Sequence, residues 1–437
     1  MRKIYPKYKD SGIEQLGEMP EHWGLNRVKH IFCVFNGATP KSNEPKFWGG
    51  DVCWVTPEDL GDLEGTVINS TSRRITQEGY QSCGTTLVPA GNLVLSTRAP
   101  IGHIAQTGVP LCTNQGCRIL AFKRDVNHKY FFYEILCAKP YLQSWGEGST
   151  FMELSKNKLE MIFLAYPPKP EQEKIASFLD DQTNKIDELI SKKERQINLM
   201  KEKRAAVITR VVLTGLDPNV PTKESGIEWL GEIPAHWQLL QIRRVMKKFV
   251  DYRGKTPEKV SSGIPLITAA NVKNGFIDFA NVQEYVRVDD YDEWMGRGLP
   301  ELGDVLITTE APLGEVAQIN NTNIALAQRI IMFKVDKQLM VNEYLKYFVM
   351  SGAGSAELIT RSTGSTALGI KAWHLKEILI TIPPLIEQRK IIQYIDQETS
   401  NIDKLISKIQ SSIDKLKEYR SALISAAVTG KIDVRGE

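Results

Sequence analysis

The sequence predicts a mixed α/β protein in which one building block, a globular domain followed by a long helix, occurs twice. Three observations lead to this prediction. Several segments of the first half return in the second half in the same order, two extended stretches carry a heptad pattern of apolar residues, and short strand-like and helix-like segments fill the intervals. Because a repeat at a fixed offset is the signature of a duplicated architecture, the chain is expected to be a tandem duplication.

The clearest repeat is a segment near the start of each half. Ser11–Trp23 (SGIEQLGEMPEHW) returns as Ser225–Trp237 (SGIEWLGEIPAHW), and ten of these thirteen positions are identical. Two further pairs follow at nearly the same offset, namely Gly91–Thr107 with Gly303–Ile319, and Gly148–Thr150 with Gly364–Thr366. A head-to-tail duplication of this kind predicts an approximate two-fold axis within the chain.

Each half is predicted to end in a long helix, over Pro167–Gly215 and Pro383–Gly430. Proline is favoured at the start of a helix, where its missing N–H has no intrahelical partner to lose, and glycine is typical of the C-terminal cap. Each helix would be roughly 60 Å long. Apolar residues recur at alternating spacings of three and four, which is typical of a coiled-coil seam: Leu179, Ile186, Ile190, Ile197, Met200, Val207 and Val211, then Ile395, Ile402, Ile406, Ile409, Ile413, Leu416 and Leu423.

Strand and helix patterns precede both long helices in the same order. The predicted strands are Asn92–Thr97, His103–Gln106 and Cys117–Phe122 in the first half, and Asp304–Thr309, Glu315–Ile319 and Ile330–Val335 in the second half. Helices are predicted over Asn127–Gln143 and Met340–Met350, the first with an aromatic and aliphatic face. The globular domains are therefore predicted to be α/β or α+β with a mostly β core.

These patterns divide the chain into five parts. The predicted parts are a first globular domain with its N-terminal segment (1–165), a first long helix (166–215), a polar linker (216–224), a second globular domain (225–382), and a second long helix with the C-terminal tail (383–437). Equivalent junctions in a duplicated chain predict that the two termini lie near each other. The two long helices are expected to pack antiparallel as a coiled coil that separates the globular domains.

Length and charge limit the possible functions only loosely. A chain of 437 residues is expected to hold two to four domains. A net charge of +3 permits a DNA partner but does not by itself indicate one. The sequence has no run of eighteen apolar residues, and Met1–Asp10 lacks the apolar core of a signal peptide. We therefore expect a cytoplasmic protein without a membrane partner.

Cysteine usage predicts neither a disulfide nor a metal site that the fold requires. All six cysteines lie in the first half and none forms a C-x-x-C pair, whereas the second half repeats the architecture without cysteine. Buried, reduced thiols are therefore expected. The residues concerned are Cys33, Cys53, Cys83, Cys112, Cys117 and Cys137.

The sequence contains no recognisable active-site motif. It lacks the phosphate-binding G-x-x-x-x-G-K-[ST] loop, G-x-G-x-x-G, H-E-x-x-H and G-x-S-x-G, as well as the Asn/Asp-Pro-Pro-aromatic motif of amino-methyltransferases. His22 and His236 occupy matched places beside Trp23 and Trp237, which favours a structural or docking role over catalysis. No catalytic residue, metal site or cofactor is predicted.

The loops of the globular domains carry side chains suited to nucleic acid. Arginine, lysine and asparagine supply donors for phosphate and base-edge contacts, although a solvated surface is the alternative for any one of them. The loops Asn36–Tyr80 and Tyr252–Arg297 differ in length and residue type, which favours two readers with different targets over neutral drift after duplication. The candidates are Lys41, Asn43, Lys46, Arg73 and Arg74, then Arg253, Lys255, Lys273, Asn274, Arg297 and Arg361.

Segments that are alike in both halves favour a task that is performed twice. Such a task is either packing or the binding of one copy each of a shared partner. The candidate partner-binding residues are Trp23, Glu171 and Gln172 in the first half, and Trp237, Glu387 and Gln388 in the second half.

Taken together, these motifs resemble the specificity (S) subunit of type I restriction–modification systems, and the resemblance covers nearly the whole chain. It is carried by the segments ending in EMPEHW and EIPAHW, by STRAPIG at Ser96–Gly102 with its counterpart Thr308–Gly314, and by the Pro-Pro-x-x-Glu-Gln starts at Pro167 and Pro383.

The matched segments add Arg98, Thr150 and Thr366 to the candidate DNA contacts. One departure from the repeat is visible, because the second half carries Glu310 at the position of Arg98. A phosphate contact by Arg98 would therefore have no equivalent in the second half.

The resemblance implies two target-recognition domains, each reading one half of an asymmetric, bipartite site in double-stranded DNA. It also implies two modification (methyltransferase) subunits as partners, which methylate adenine with S-adenosylmethionine, and ATP-dependent restriction subunits that join them. Catalysis would then belong to the partners, and this chain would be a non-catalytic, sequence-specific DNA-binding subunit.

Three further functions stay open at the level of the sequence. They are a duplicated protein-binding scaffold, an enzyme in its own right, and a specificity subunit that serves another phage-defence complex. The bases recognised, the spacer length and the pairing of domain with half-site do not follow from the sequence.

Overall fold

The structure, a computed structural model, describes residues 4–14, 16–98, 100–147, 152–227, 230–254, 256–364 and 368–436. The chain forms two compact units. Unit 1 comprises Met1–Lys192 and Ser412–Glu437, and unit 2 comprises Lys193–Ser411. Each long helix therefore contributes one part of its length to each unit.

Unit 1 contains twelve of the strands described in the structure. They are β1 (Tyr8–Asp10), β2 (Glu18–Pro20), β3 (Gly24–Arg27), β4 (Phe32–Asn36), β5 (Trp48–Val55), β6 (Val67–Ile68), β7 (Arg74–Ile75), β8 (Leu93–Ser96), β9 (Ile104–Thr107), β10 (Leu111–Thr113), β11 (Cys117–Phe122) and β12 (Phe163–Tyr166). Its shorter helices are α1 (Val28–Ile31), α2 (Pro57–Gly61), α3 (Gln77–Gln81), α4 (His128–Cys137), α5 (Lys139–Ser144) and α6 (Lys156–Met161), with a 3-10 turn at Pro45–Phe47. The long helix α7 (Lys169–Thr214) follows.

Unit 2 contains the remaining described strands. They are β13 (Thr222–Glu224), β14 (Glu232–Pro234), β15 (Gln238–Gln241), β16 (Met246–Asp251), β17 (Ile264–Ile267), β18 (Val272–Lys273), β19 (Phe276–Ile277), β20 (Tyr285–Val286), β21 (Val305–Thr309), β22 (Leu313–Gln318), β23 (Ala325–Leu326), β24 (Ile330–Val335) and β25 (Leu379–Ile382). Its helices are α8 (Tyr291–Trp294), α9 (Asn342–Met350), α10 (Gly352–Thr360), α11 (Ala372–Leu375) and the long α12 (Leu385–Val428), with 3-10 turns at Ile242–Arg244, Ala269–Asn271 and Phe279–Asn281.

The two units share their strand order, except that the larger sheet of unit 1 has a fifth strand, β6, and unit 2 has the separate pair β18-β19. In unit 1 the larger sheet has the order β4-β11-β8-β9-β6, and in unit 2 the corresponding order is β16-β24-β21-β22. A second sheet has the order β10-β5-β7 in unit 1 and β23-β17-β20 in unit 2, with one parallel and one antiparallel pairing in each. The pairs β1-β2 and β3-β12 recur as β13-β14 and β15-β25. The predicted duplication and the mixed α/β class are therefore confirmed.

The predicted strands agree with the structure to within two residues at each end, but one predicted helix is wrong as a single element. The interval Asn127–Gln143 contains two helices, α4 and α5, which meet at Ala138. Pro140 explains the break, because proline lacks the N–H that a continuous helix would donate to the carbonyl of Leu136, and its ring clashes with that carbonyl.

The long helices begin and end as the sequence predicts. α7 and α12 start directly after the proline pairs, with Glu171 and Glu387 in their first turns. Gly215 and Gly430 follow their C-terminal ends with φ angles of 74° and 72°, a left-handed conformation that favours glycine. All fourteen predicted seam residues are buried or half-buried.

Within each unit the two helices run antiparallel. In unit 2, Arg204 Nε lies 3.5 Å from Asp403 Oδ1, and Arg210 Nη2 donates to the Tyr394 hydroxyl at 3.3 Å, so the chain directions oppose each other. In unit 1, Arg420 Nε lies 2.9 Å from Asp187 Oδ1. No helix in the described part of the chain is both long and apolar enough to cross a membrane.

Each globular domain packs onto the helix segments of its own unit. In unit 2, Val211, Val212 and Ile391 join one apolar cluster with Phe333 and Phe348 of the domain. In unit 1, the Tyr130 hydroxyl of α4 donates to the carbonyl oxygens of Ala165 and Val428. Side chains of the globular domains therefore fix the helix ends.

The N-terminal segment and the C-terminal tail contact each other in unit 1, as predicted. The Tyr8 hydroxyl donates to the Gly430 carbonyl at 3.2 Å, and the Arg435 guanidinium lies 4.8 Å from the centre of the Tyr5 ring. This contact joins the start of the chain to the end of α12.

The six cysteines are free thiols in the structure. The expectation that all are buried holds for Cys53, Cys112 and Cys117, but Cys83 and Cys137 are only half-buried and Cys33 is exposed. Cys33 lies in β4 between the buried Phe32 and Val34, and alternate side chains of a strand point to opposite faces. Among the described residues, no three His, Cys, Asp or Glu side chains are grouped as metal ligands.

Candidate nucleic-acid interface

Three side chains form a stacked cluster in the loops of unit 1. The Arg73 guanidinium carbon lies 3.7 Å from the ring centre of Trp48 and 5.5 Å from that of Trp54. The two indoles meet edge to face, with centroids 5.0 Å apart. Strands β5 and β7 bring these residues together, since Cys53 pairs with Arg74 in their ladder.

The other candidates of this loop region have exposed side chains. Lys41, Asn43, Lys46 and Arg74 are all exposed. The Lys46 ammonium lies 5.3 Å from the centre of the Phe47 ring, which it partly covers. Their long side chains are available for contacts with an anionic partner.

Arg98 takes part in a charged cluster within the domain. Its guanidinium forms an ion pair with Glu153, and the Arg118 guanidinium lies 3.2 Å from the other oxygen of the same carboxylate. Burial lowers the pKa of Arg118, and the neighbouring Glu153 carboxylate opposes that shift. Glu153 therefore neutralises two cations, one of which has a side chain only 9% exposed.

Unit 2 has the opposite charge at the matching position. Glu310 lies 3.0 Å from Arg329 Nε, and its backbone forms a bridge with Gly369, as Arg98 does with Glu153. Arg329, which lies directly before β24, supplies the positive charge, because Gly369 occupies the position of Glu153 and has no side chain. The departure at Glu310 therefore replaces one ion pair by another that has a different partner position.

The predicted arginines of unit 2 all have intramolecular partners. Arg253 donates to both carboxylate oxygens of Asp251, and Arg297 donates to the carbonyl oxygens of Asp251 and Arg253. Arg361 lies 2.8 Å from Glu357, a carboxylate that is 2% exposed and also accepts the backbone N–H of Leu379. These contacts hold the loops of unit 2 in place.

A short hairpin presents two more candidates. Lys273 and Asn274 are exposed at the turn between β18 and β19, and Asn274 has a φ of 52°. The Asn274 N–H donates to Glu315 at 3.2 Å. Three further candidates, Thr150, Lys255 and Thr366, lie outside the described residues.

The candidate partner-binding residues of unit 1 lie at the start of α7 and are buried. Glu171 is 6% exposed and accepts hydrogen bonds from the Tyr5 hydroxyl and from Trp23 Nε1 at 3.1 Å, with His22 Nε2 at 2.9 Å. Burial, followed by the hydrogen bond to Glu171, raises the pKa of Tyr5 well above its usual value. Gln172 accepts the Asn127 N–H and donates to the Pro167 carbonyl.

The start of α12 in unit 2 repeats part of this arrangement. Glu387 lies 2.8 Å from His236 Nε2, and Gln388 accepts the Val341 N–H while donating to the carbonyls of Leu339 and Pro383. Trp237 is fully buried, and its Nε1 has no hydrogen-bond partner among the described residues. In both units these side chains make internal contacts, and a role in partner binding stays a prediction.

Comparison with known proteins assigns the chain to a family. The family model described as Type I restriction modification DNA specificity domain matches residues 20–199 and 253–415. The chain belongs to this family. Its two matched regions correspond to the two copies of the duplication, so a type I specificity domain occurs twice in the chain.

Relatives that match nearly the whole chain are named as type I specificity subunits. The chain is 26% identical over 427 residues to the MjaIX type I specificity subunit of Methanocaldococcus jannaschii, which spans 96% of this chain and 95% of that protein. It is 21% identical over 434 residues to the EcoBI specificity subunit of Escherichia coli, across 97% of this chain and 89% of that protein. These matches extend over both specificity domains and both long helices.

A solved structure has the same fold. It is described as the structural basis of complex assembly and conformational transition of the type I restriction–modification system, and it matches with a TM-score of 0.69 at 15% identity. The match covers 94% of this chain and 98% of that chain. Membership of the type I specificity family establishes a DNA-specificity role and implies that the chain itself is not the catalytic component. A protein-binding scaffold, an independent enzyme and a subunit of another phage-defence complex are not favoured.

Sequence reasoning about this type I specificity protein missed the partners of its charged residues. Glu153 and Asp251 hold candidate arginines, and Arg118 shares the Glu153 carboxylate with Arg98, yet no local pattern signals a long-range ion pair. Trp54 was likewise missed, although a tryptophan close to a predicted basic loop is a usable signal for stacking.

Proposed function

We propose that this chain is the sequence-specific DNA-binding subunit of a type I restriction–modification complex, in which each globular domain reads one half of a bipartite, asymmetric site in double-stranded DNA. The observation that supports this most is the contrast between a shared core topology and different loop residues. The first four strands of the larger sheet have the same order in both domains, yet the exposed Arg74 of one domain corresponds to Tyr285 of the other. Two similar scaffolds with different loop chemistry suit two different half-sites.

The reading surface is proposed to consist of the loop residues that carry free donors. Lys41, Lys46 and Arg74 of the first domain and Lys273 of the second are exposed cations that would neutralise phosphates. Asn43 and Asn274 offer amide groups of the kind that contact base edges. The proposed domains are those of residues 1–165 and 225–382.

The long helices are proposed to set the distance between the half-sites and to dock two modification subunits. Adenine methylation and ATP-dependent cleavage would belong to the modification and restriction subunits of the complex. The internal hydrogen bonds of Glu171, Gln172 and Gln388 shape the helix starts, so the neighbouring exposed residues would supply the contacts to a modification subunit.

Methylation-sensitive sequencing tests this function directly. Genomic DNA is exposed to the full chain assembled with its modification subunits, and methylated positions are mapped. A bipartite motif with a fixed, unspecified spacer is the expected result. Methylation without a motif, or no dependence of methylation on this chain, would contradict the proposal. As an independent check, the logarithm of the affinity of the complex for duplex DNA should fall linearly with the logarithm of the salt concentration.

A further inference from the structure

Most of the arginines that the sequence offers as DNA contacts already donate to groups within the protein. Arg98 is paired with Glu153, Arg253 with Asp251, and Arg361 with Glu357. Using any of these guanidiniums on DNA would leave its carboxylate without that partner. These residues are therefore better explained as parts of the scaffold than as readers of bases.

Arg73 differs from them in two respects. Its guanidinium makes no hydrogen bond or ion pair with any other described residue, and the side chain is exposed. At the same time the guanidinium is held in place, because it stacks 3.7 Å from the centre of the Trp48 ring. Arg74, the next residue, is also exposed but makes no such stacking contact among the described residues.

The Trp48 ring is itself fixed by its surroundings. It packs edge to face on Trp54, with an interplanar angle of 84°, and its Nε1 donates to the Lys41 carbonyl at 3.2 Å. Trp54 is 3% exposed, and its Nε1 donates to the Ala38 carbonyl at 2.9 Å. The guanidinium thus lies on a rigid aromatic platform, which reduces the entropy that arginine would lose on binding.

The second domain has no equivalent of this platform among its described residues. Cys53 of β5 corresponds to Pro265 of β17. Arg74 pairs with Cys53 in the first domain, and Tyr285 pairs with Pro265 in the second, so Tyr285 corresponds to Arg74. The preceding residue, Glu284, therefore occupies the position of Arg73. Glu284 accepts a hydrogen bond from Lys259 at 2.7 Å. At this position, therefore, the two domains differ in the sign of the charge and in the freedom of the side chain.

We infer that Arg73 is a specificity-determining residue, which donates two hydrogen bonds to the major-groove edge of a guanine in the half-site read by the first domain. Trp48 is its positioning residue. The planar fork of a guanidinium matches the O6 and N7 acceptors of guanine, and this pairing is the commonest specific protein–DNA contact. A phosphate would also accept two such bonds, but phosphate contacts carry no sequence information. The inference rests on the proposed function.

The test compares Arg73→Ala with Arg74→Ala in the complete complex of the chain with its modification subunits. Methylated positions are mapped for the wild type and for both variants. Arg73→Ala is expected to relax one guanine position in one half-site by roughly 10- to 100-fold, leaving the other half-site unchanged. Arg74→Ala is expected to keep the motif and to weaken binding equally at all sites. A motif unchanged by Arg73→Ala would overturn the inference, and a uniform loss like that of Arg74→Ala would overturn it in favour of a phosphate contact.

Variants of Trp48 separate positioning from folding. Trp48→Phe keeps an aromatic face and is expected to retain the wild-type motif, whereas Trp48→Leu should relax the same guanine position as Arg73→Ala, to a smaller extent. A lower melting temperature with an unchanged motif in Trp48→Leu would show that the ring is only structural. The wild-type result separates the proposed function from this inference, because the absence of any bipartite motif refutes the proposed function. A bipartite motif that does not depend on Arg73 refutes this inference alone.

Discussion

Glu134 is a buried carboxyl group in which only one of the two oxygens has a hydrogen-bond partner among the described residues. The side chain is 2% exposed on α4; Oε1 accepts the Ala165 N–H at 2.8 Å, whereas Oε2 has no partner among the described residues. Burial raises the pKa of Glu134 to about 8, against the smaller opposing effect of the Ala165 hydrogen bond. Phe348 occupies the matching position of α9 in unit 2, so the fold does not require a carboxyl group there.

Replacing Glu134 should change how stability depends on pH. Because the pKa is raised on folding, the protonated group stabilises the folded state below about pH 4.5, and this contribution is lost as the pH rises through about 8. Glu134→Gln should therefore gain stability relative to the wild type at higher pH, by on the order of 2–4 kcal/mol between pH 5 and pH 9. Urea unfolding of the full chain at several pH values measures the difference. The exposed Glu64→Gln is the control, and parallel pH profiles for wild type and Glu134→Gln would contradict the prediction.

Arg361 was predicted as a DNA contact from its residue type, but in the structure it forms an ion pair within the protein. Its partner Glu357 is buried and also accepts the Leu379 N–H. We expect Arg361→Ala to lower the free energy of unfolding by about 1–3 kcal/mol, because a buried carboxylate loses its charge-assisted partner. The salt dependence of DNA binding should stay unchanged. Arg74→Ala should show the reverse, with little effect on stability and a smaller salt slope. A changed slope for Arg361→Ala would assign that residue to the interface.

Residue types were predictable here, but their contacts were not. Arg98 and Glu153 are 55 positions apart, and Tyr5 and Glu171 are 166 positions apart. No local pattern links such residues, since their proximity depends on how the strands and helices pack. The sequence could therefore propose Arg98 as a DNA contact but could not reveal its ion pair.

At the scale of single elements, local chemistry predicted the two long helices and three strands of each domain, but not most of the shorter strands and helices. The heptad pattern, the proline pairs and the terminal glycines located α7 and α12 to within a few residues. The error at Ala138 arose because an apolar face continues across Pro140 and masks the break. Periodicity reports which face is buried, whereas proline acts on the backbone, so the two signals can disagree.

The glycines that end the long helices provide a matched pair for a stability test. Gly215 and Gly430 have nearly equal positive φ angles, so alanine should cost about 1 kcal/mol at either site from backbone strain. A Cβ at Gly430 would meet Cδ of the rigid Pro20 ring at 2.3 Å, whereas one at Gly215 would meet no atom closer than 3.2 Å. Gly430→Ala should therefore destabilise the protein more than Gly215→Ala, by an additional 1–3 kcal/mol or so. Thermal unfolding of both variants measures this, and equal losses would show that the Pro20 contact relaxes easily.

At the scale of the whole chain, the duplication was predictable and the sheet order was not. Repeated segments establish that two similar domains exist, because each copy carries the same local signals. Strand order depends on pairings such as β4 with β11, which join residues far apart in the sequence. A single sequence contains no direct signal for such pairings. In the structure, the strand orders of the two units correspond, as expected for two copies of one domain.

If the long helices set the separation of two half-sites, their length should be a determinant of recognition. Deleting one heptad from α7 preserves its apolar pattern but shortens it by roughly 10 Å. We expect methylation of the original site by the complete complex to fall sharply, because the two domains can no longer reach both half-sites together. Removing one heptad from α12 as well should restore methylation at sites whose spacer is about three base pairs shorter, with both half-site sequences retained. An insertion of equal length after the exposed Asp217 of the linker is the control and should be tolerated. Methylation of the original site at the wild-type level after the α7 deletion would show that the helices act only as a tether.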